Sequence, residues 1–177
     1  MISSAHADAT VRTRTAPHSA VREGIIAGAI GATVVAAWFL GVDVVAGHPL
    51  RTPEVLGRAL MSVLGPRGSE GAMTFIVVYT VFHYVAFALV GILASVIIHL
   101  ASREPSILAG CVILFVAVEI GFYGLVGLLS EPNILGEVAW YQVLIGNLLA
   151  AVAMGWYLWH EHPELGRELD QALSGRA

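Results

Sequence analysis

Long apolar stretches separated by short polar ones dominate this amino-acid sequence. Four of them have about the 20 residues that an α-helix needs to cross a bilayer. Their bounds are 24–46, 72–100, 106–129 and 138–159. The connections after the second and third stretches are short, so consecutive spans should run antiparallel. The pattern predicts an all-α integral membrane protein. Its membrane domain, residues 24–159, is expected to be an antiparallel bundle of four transmembrane helices.

The connection between the first two spans has a periodicity of its own. Apolar residues recur there at helical spacing after Thr52 and Pro53, which suit the start of a helix, and before Gly65, which suits its end. The spacing predicts a short amphipathic helix over 53–64, lying in the membrane interface or packed on the end of the bundle. Asp43, one turn from the end of the first span, is expected to reach headgroup water.

The composition is that of a membrane protein. Of the 177 residues, 57% are hydrophobic and 12% are charged, against about 25% charged residues in soluble domains. The net charge of −4 and the absence of a basic cluster argue against a nucleic-acid partner. The expected partner is the lipid bilayer, together with a second copy in a homodimer or a larger membrane complex. No catalytic signature stands out, which favours a non-enzymatic protein.

The segments outside the spans predict the orientation. Residues 1–23 lack large apolar side chains and should form a disordered cytoplasmic tail, and 160–177 a second, short one. Six of the nine arginines lie on the side of the two termini and three lie on the other side. The six are Arg12, Arg14, Arg22, Arg103, Arg167 and Arg176; the three are Arg51, Arg58 and Arg67. This excess predicts that both termini lie in the cytoplasm. The small size, the absence of lysine and the lack of targeting signals predict a bacterial inner-membrane protein.

Small residues recur at every fourth position of the first span. They are Gly24, Gly28, Ala32 and Ala36. Such a stripe lets another helix backbone come close, so we expect it to be a helix-packing face. A dimer joined through this stripe would supply the additional spans that a carrier needs.

The most polar side chains within the spans fall at one depth. Counted from the ends nearest the first and third connections, His83, Glu119 and Asn147 all lie about 15 Å deep on three different spans. Tyr79 and Tyr123 each lie one helical turn from His83 and Glu119. These five residues form a predicted buried polar layer. Within it, His83 and Glu119 are expected to pair, because an isolated carboxylate in hydrocarbon is costly.

Three functions are compatible with this layer. The favoured one is a non-enzymatic accessory or self-associating membrane component, in which the polar groups hold helices together. The second is a proton-coupled carrier or relay that uses His83 and Glu119. The third is a haem-binding or quinone-binding subunit, with His83 as axial ligand or with both residues bonded to the quinone. A haem held by two histidines of one chain is disfavoured, because His99 lies near the other end of the second span.

Two histidines follow the fourth span. His160 and His162 stand near Glu161 and Glu164, and such a set could hold a divalent metal. Pro163 interrupts the helix that would align them. We therefore expect a solvated acidic tail and no metal site there.

Overall fold

α-Helices form the whole regular framework of the part of the chain that the computed structural model describes, residues 19–64, 71–101, 107, 109–129 and 140–163. In chain order they are α1 (Ala20–Val45), α2 (Arg51–Leu64), α3 (Ala72–Ala101), α4 (Ala109–Leu129) and α5 (Trp140–Glu161). The all-α class is confirmed for these residues. Of the tails predicted over 1–23 and 160–177, residues 1–18 and 164–177 lie outside the described residues.

Three helices, α1, α3 and α5, are long and apolar enough to cross a membrane. The apolar stretch of α4, Ala109–Gly124, is shorter. These helices are compatible with a multi-pass membrane protein. α1 also begins earlier than predicted, since Ser19 caps it by accepting a hydrogen bond from the backbone N–H of Arg22. Residues 20–23, assigned to the disordered tail from sequence, are therefore helical.

Asp43 closes the connection between α1 and α2. Its Oδ2 accepts a hydrogen bond from the Thr52 backbone N–H at 2.8 Å, and its Oδ1 accepts one from the Thr52 hydroxyl at 2.7 Å. Both side chains are buried, so the expectation that Asp43 reaches headgroup water is wrong. The carboxylate turns inward because it caps the first turn of α2. That helix begins at Arg51, with Thr52 inside it.

α1 and α3 are in backbone contact and run antiparallel. A Cβ at Gly24 would overlap the backbone of Ile92, and a Cβ at Gly28 would lie 2.7 Å from the Cα of Ala88. On α3, a Cβ at Gly91 would overlap the backbone of both Gly24 and Gly28. The first part of the small-residue stripe therefore packs against α3 of the same chain. Ala32 is buried with it, whereas Ala36, the last member, is exposed.

α5 packs on another face of α1, again antiparallel. Gly31 lies against the Met154 side chain, and Gly146 lies against Trp38, whose indole N–H donates to the Gln142 carbonyl at 2.9 Å. Two apolar clusters fill these helix junctions. One contains Ala27, Ile98, Met154 and Leu158, and the other contains Val35, Phe39, Val143 and Ala150. The core is thus built around α1.

α2 packs its apolar face on α3. Leu56 and Ala59 are buried, and a Cβ at Gly57 would overlap the backbone of Phe75. Arg58 is exposed and pairs with Glu54 one turn earlier, at 2.6 Å. α2 therefore packs on the bundle, and its place in a membrane interface stays a prediction.

α4 touches the remaining helices at few positions. A Cβ at Gly110 would meet the Ile97 side chain of α3, and the Tyr123 hydroxyl donates to the Trp140 carbonyl of α5 at 2.7 Å. Large apolar side chains along α4 stay exposed, including Val112, Ile113 and Ile120. This loose attachment leaves a cavity between α4 and the core.

Candidate functional site

The central cavity lies between α1, α3, α4 and α5, and α2 covers part of it. Its volume is about 230 Å³, and nearly all of its wall is apolar. Phe39, Phe87 and Phe122 are among the aromatic side chains that form this wall. The hydrogen-bonding side chains that line it are Tyr79, His83 and Asn147, three members of the predicted polar layer.

His83 is fixed in the wall by α1. Its Nε2 lies 3.1 Å from the Ala32 carbonyl oxygen across the α1–α3 interface. Because a carbonyl oxygen only accepts, this nitrogen must carry the proton. The ring also stacks on Tyr79, with centroids 5.6 Å apart, and lies 4.7 Å from the ring of Phe87. His83 is therefore held in one orientation at the edge of the cavity.

Tyr79 and Asn147 have unused hydrogen-bonding capacity. Neither the Tyr79 hydroxyl nor the Asn147 side-chain amide is hydrogen-bonded to any described residue, although both residues line the cavity. Both residues are half-buried. Their polar groups are therefore available to bond a molecule in the cavity.

Glu119 lacks the hydrogen-bond partner that was expected for it. The residue is buried, and neither of its carboxylate oxygens has a hydrogen-bond partner within the described part of the chain. The hydrogen bond expected between His83 and Glu119 is not present, because the His83 ring turns towards α1. The neighbouring Val118 and Phe122 line the cavity, but Glu119 does not. Tyr123, one turn along α4, donates to α5 as described above.

A second cluster of polar side chains lies where α1 begins and where α3 and α5 end. We call Glu23, His99 and His162 the Glu23 cluster. Oε1 of Glu23 lies 3.2 Å from Nδ1 of His162, and Oε2 lies 3.7 Å from Nε2 of His99. The two imidazole rings meet edge to face, with centroids 4.7 Å apart. One ligating atom from each of the three residues lies within 4.8 Å of the others.

Helix geometry explains why these three residues meet. Glu23 lies in the first turn of α1, and both antiparallel partners end beside that turn. The sequence singled out His162 but paired it with His160. The structure turns His160 away, with its ring 4.4 Å from the Trp156 ring and its Nδ1 3.0 Å from the Trp156 carbonyl oxygen.

Glu23 and His99 were missed because each stands at the edge of an apolar run, where a polar residue is ordinary. A usable signal did exist. In an antiparallel bundle, the start of one span and the ends of its two neighbours lie at the same depth.

The chain matches no protein-family model, no curated protein and no solved structure.

Proposed function

We propose that the protein is a non-enzymatic, multi-pass membrane component that binds a small lipophilic molecule in the central cavity. The observation that supports this most directly is the cavity wall, which is apolar except for Tyr79, His83 and Asn147. Small-molecule sites typically combine an apolar lining with a few convergent polar groups. A dry cavity of about 150 Å³ is enough to bind benzene, so about 230 Å³ accommodates a substituted ring.

A quinone-like ring fits these polar groups better than a haem. The carbonyl oxygens of a quinone accept hydrogen bonds, and the Tyr79 hydroxyl and Asn147 amide can donate them. Haem ligation through Nε2 of His83 would break the hydrogen bond to Ala32 that fixes the ring. The proposed ligand is therefore a ring with carbonyl oxygens and an apolar substituent that extends towards lipid.

The binding test uses the full chain in mild detergent and a short-chain quinone as probe. We expect about one probe molecule per chain, together with a lipophilic molecule in the solvent extract of the purified protein. Gly121→Leu should abolish binding, since Gly121 lines the cavity and a Cβ there meets nothing within 4 Å. Gly124→Leu is the matched control. It adds the same side chain one turn along α4, at a glycine with equally open surroundings, and should leave binding unchanged.

The comparison of the two leucine variants decides this proposal. Equal binding by the wild type and Gly121→Leu would overturn it, as would a wild-type protein that retains neither the probe nor an extractable molecule. Tyr79→Phe keeps the aromatic ring and removes only the hydroxyl donor, so it should weaken binding about tenfold, which is the effect of one lost hydrogen bond of about 1.4 kcal/mol.

We also propose that α4 is a fourth span and that the helices form an antiparallel bundle in a bacterial inner membrane, with both termini cytoplasmic. Its 21 residues are enough to cross, and its exposed apolar side chains suit lipid. Cys111 is the single cysteine, so Cys111→Ala gives a cysteine-free background. In it, an impermeant thiol reagent added outside the cell should label His48→Cys but not Ser19→Cys or Glu161→Cys. The reverse labelling pattern would mean that both termini lie outside the cell. Equal labelling of Ser19→Cys and His48→Cys would mean that α1, which lies between them, does not cross the membrane.

A proton-coupled carrier or relay is the second candidate. It is favoured by the buried carboxylate of Glu119, which has no hydrogen-bond partner among the described residues. Proton flux into liposomes that is lost in Glu119→Gln would support it over passive ligand binding.

A homodimer through the small-residue stripe receives less support, because α3 covers Gly24 and Gly28. Self-association would need another face, and the mass of the protein in detergent tests for it.

A further inference from the structure

We propose that the Glu23 cluster is a binding site for a divalent transition metal, with Zn²⁺ as the best match. The site takes one ligand from each of three helices at one end of the bundle. It is separate from the central cavity and does not depend on the function proposed for that cavity.

The separations suit a shared metal ion. In tetrahedral zinc sites with bonds of about 2.0–2.1 Å, adjacent ligand atoms are about 3.3 Å apart. The carboxylate of Glu23 lies 3.2 Å from the His162 ring nitrogen and 3.7 Å from that of His99. Nδ1 of His162 also lies 3.2 Å from the Leu158 carbonyl oxygen. Metal binding at this nitrogen would replace that contact and displace its proton, after which an adjustment of side chains brings all three ligands around one ion.

Glu23 needs a cationic partner at this position. The residue is 4% exposed, and both of its carboxylate oxygens are buried without a hydrogen bond to any described residue. A buried carboxylate without compensation is strongly unfavourable. The carboxylate is directed at the two imidazoles, so an ion held among the three groups would compensate its charge.

The orientation of His99 matches that of a metal ligand. Its Nδ1 lies 2.8 Å from the Ser95 carbonyl oxygen, to which it must donate, so Nδ1 carries a proton. In the neutral ring, the nitrogen without a proton is then Nε2, which faces Glu23. Metal-binding histidines commonly donate their other ring N–H to a backbone carbonyl in this way.

Two nitrogens and one carboxylate oxygen favour zinc over magnesium or calcium. Imidazole is a good ligand for Zn²⁺, Cu²⁺ and Ni²⁺, whereas Mg²⁺ and Ca²⁺ are held by oxygen ligands. Two histidines and one glutamate are also a known zinc ligand set, with a fourth position for water or another donor. A bound ion would join the start of α1 to the ends of α3 and α5.

An alternative to a metal is a pair of imidazolium–carboxylate contacts, and metal binding distinguishes the two. The full chain is purified with an affinity tag that contains no histidine, stripped with a chelator, and equilibrated with ZnCl₂ in detergent. We expect one zinc per chain by elemental analysis and a rise in melting temperature on zinc addition. MgCl₂ at the same concentration should do neither.

Three variants and a matched control complete the test. Glu23→Gln, His99→Gln and His162→Gln should each weaken zinc binding by at least about tenfold. His162 follows the last turn of α5, so its replacement should leave helical content and elution volume unchanged even if the other two variants misfold. His160→Gln removes a histidine two positions away that faces Trp156, and should bind zinc like the wild type.

The inference is overturned if the stripped wild type takes up no stoichiometric zinc. It is also overturned if His160→Gln loses binding as strongly as His162→Gln, since the tail pair would then hold the ion. Equal uptake of magnesium and zinc would contradict the assignment of the two imidazole nitrogens as ligands, because these nitrogens favour zinc.

Discussion

α1 and α4 have similarly apolar sequences, yet α1 is packed along most of its length and α4 at only a few points. The glycines of the two helices show the difference. Gly24 and Gly28 of α1 meet the backbone of α3, whereas a Cβ at Gly121 or Gly124 of α4 would meet nothing within 4 Å. In a membrane, burial of apolar surface does not drive helices together, since lipid is equally apolar. Close packing therefore requires small residues that face each other, and α4 has no such partner.

The polar groups of the central cavity that make no hydrogen bond to a described residue lie on the loosely packed side. Tyr79 and Asn147 line the gap beside α4, and Glu119 is on α4 itself. On the tightly packed side, His83 and Asp43 each have a hydrogen-bond partner. We infer that the α1–α3 interface supplies stability, whereas the gap beside α4 supplies space for a ligand.

The sharpest test of this contrast is the same substitution in both helices. Gly28→Ala should destabilise the protein by about 3 kcal/mol, the upper end for overpacking, because the new Cβ would meet the backbone of Phe87 and Ala88. Gly121→Ala should be neutral or slightly stabilising, since alanine is the better helix former and nothing obstructs its Cβ. The melting temperature in detergent measures both.

Equal melting temperatures for these two variants would remove the distinction between the helices. If Gly121→Ala proved the more damaging, α4 would have a close neighbour in the solubilised protein, such as a second copy. Chemical cross-linking of the wild type would then identify that neighbour.

A smaller loss of stability is expected when the contact between Asp43 and Thr52, which connects α1 to α2, is removed. Asp43→Ala leaves both the backbone N–H and the hydroxyl of Thr52 without an acceptor, and should cost about 2 kcal/mol. Asp43→Asn keeps one acceptor oxygen and should cost about half as much. Glu54→Gln is the matched control, because it removes an acid from an exposed pair with Arg58, which is worth about 0.5 kcal/mol or less. If Asp43→Ala left the stability of the protein unchanged, α2 would be held by its contacts with α3 alone.

The sequence predicted the helices well, because apolar runs of this length form helices in any arrangement. It could not predict which faces meet. His83 was expected to face Glu119 because the two share a depth, but depth does not specify rotation about the helix axis. The close contact of α1 with α3 placed the Ala32 carbonyl beside His83 instead. Glu23 and His99 were missed for a related reason, since they are 76 positions apart and join only when two helix ends meet.

The smallest effect is expected at Glu119. Its carboxylate oxygens make no hydrogen bond to the described residues, so Glu119→Gln removes no such interaction and introduces an uncharged amide of the same shape. The melting temperature should stay within the range of an ordinary neutral substitution, about 0.5 kcal/mol, or rise, because a buried charge is costly. His83→Phe, which breaks the hydrogen bond to Ala32, should destabilise more. A loss in Glu119→Gln as large as that in Asp43→Asn would mean that the carboxylate has a partner beyond the described residues, and α4 could then no longer be counted as the loosely packed side of the molecule.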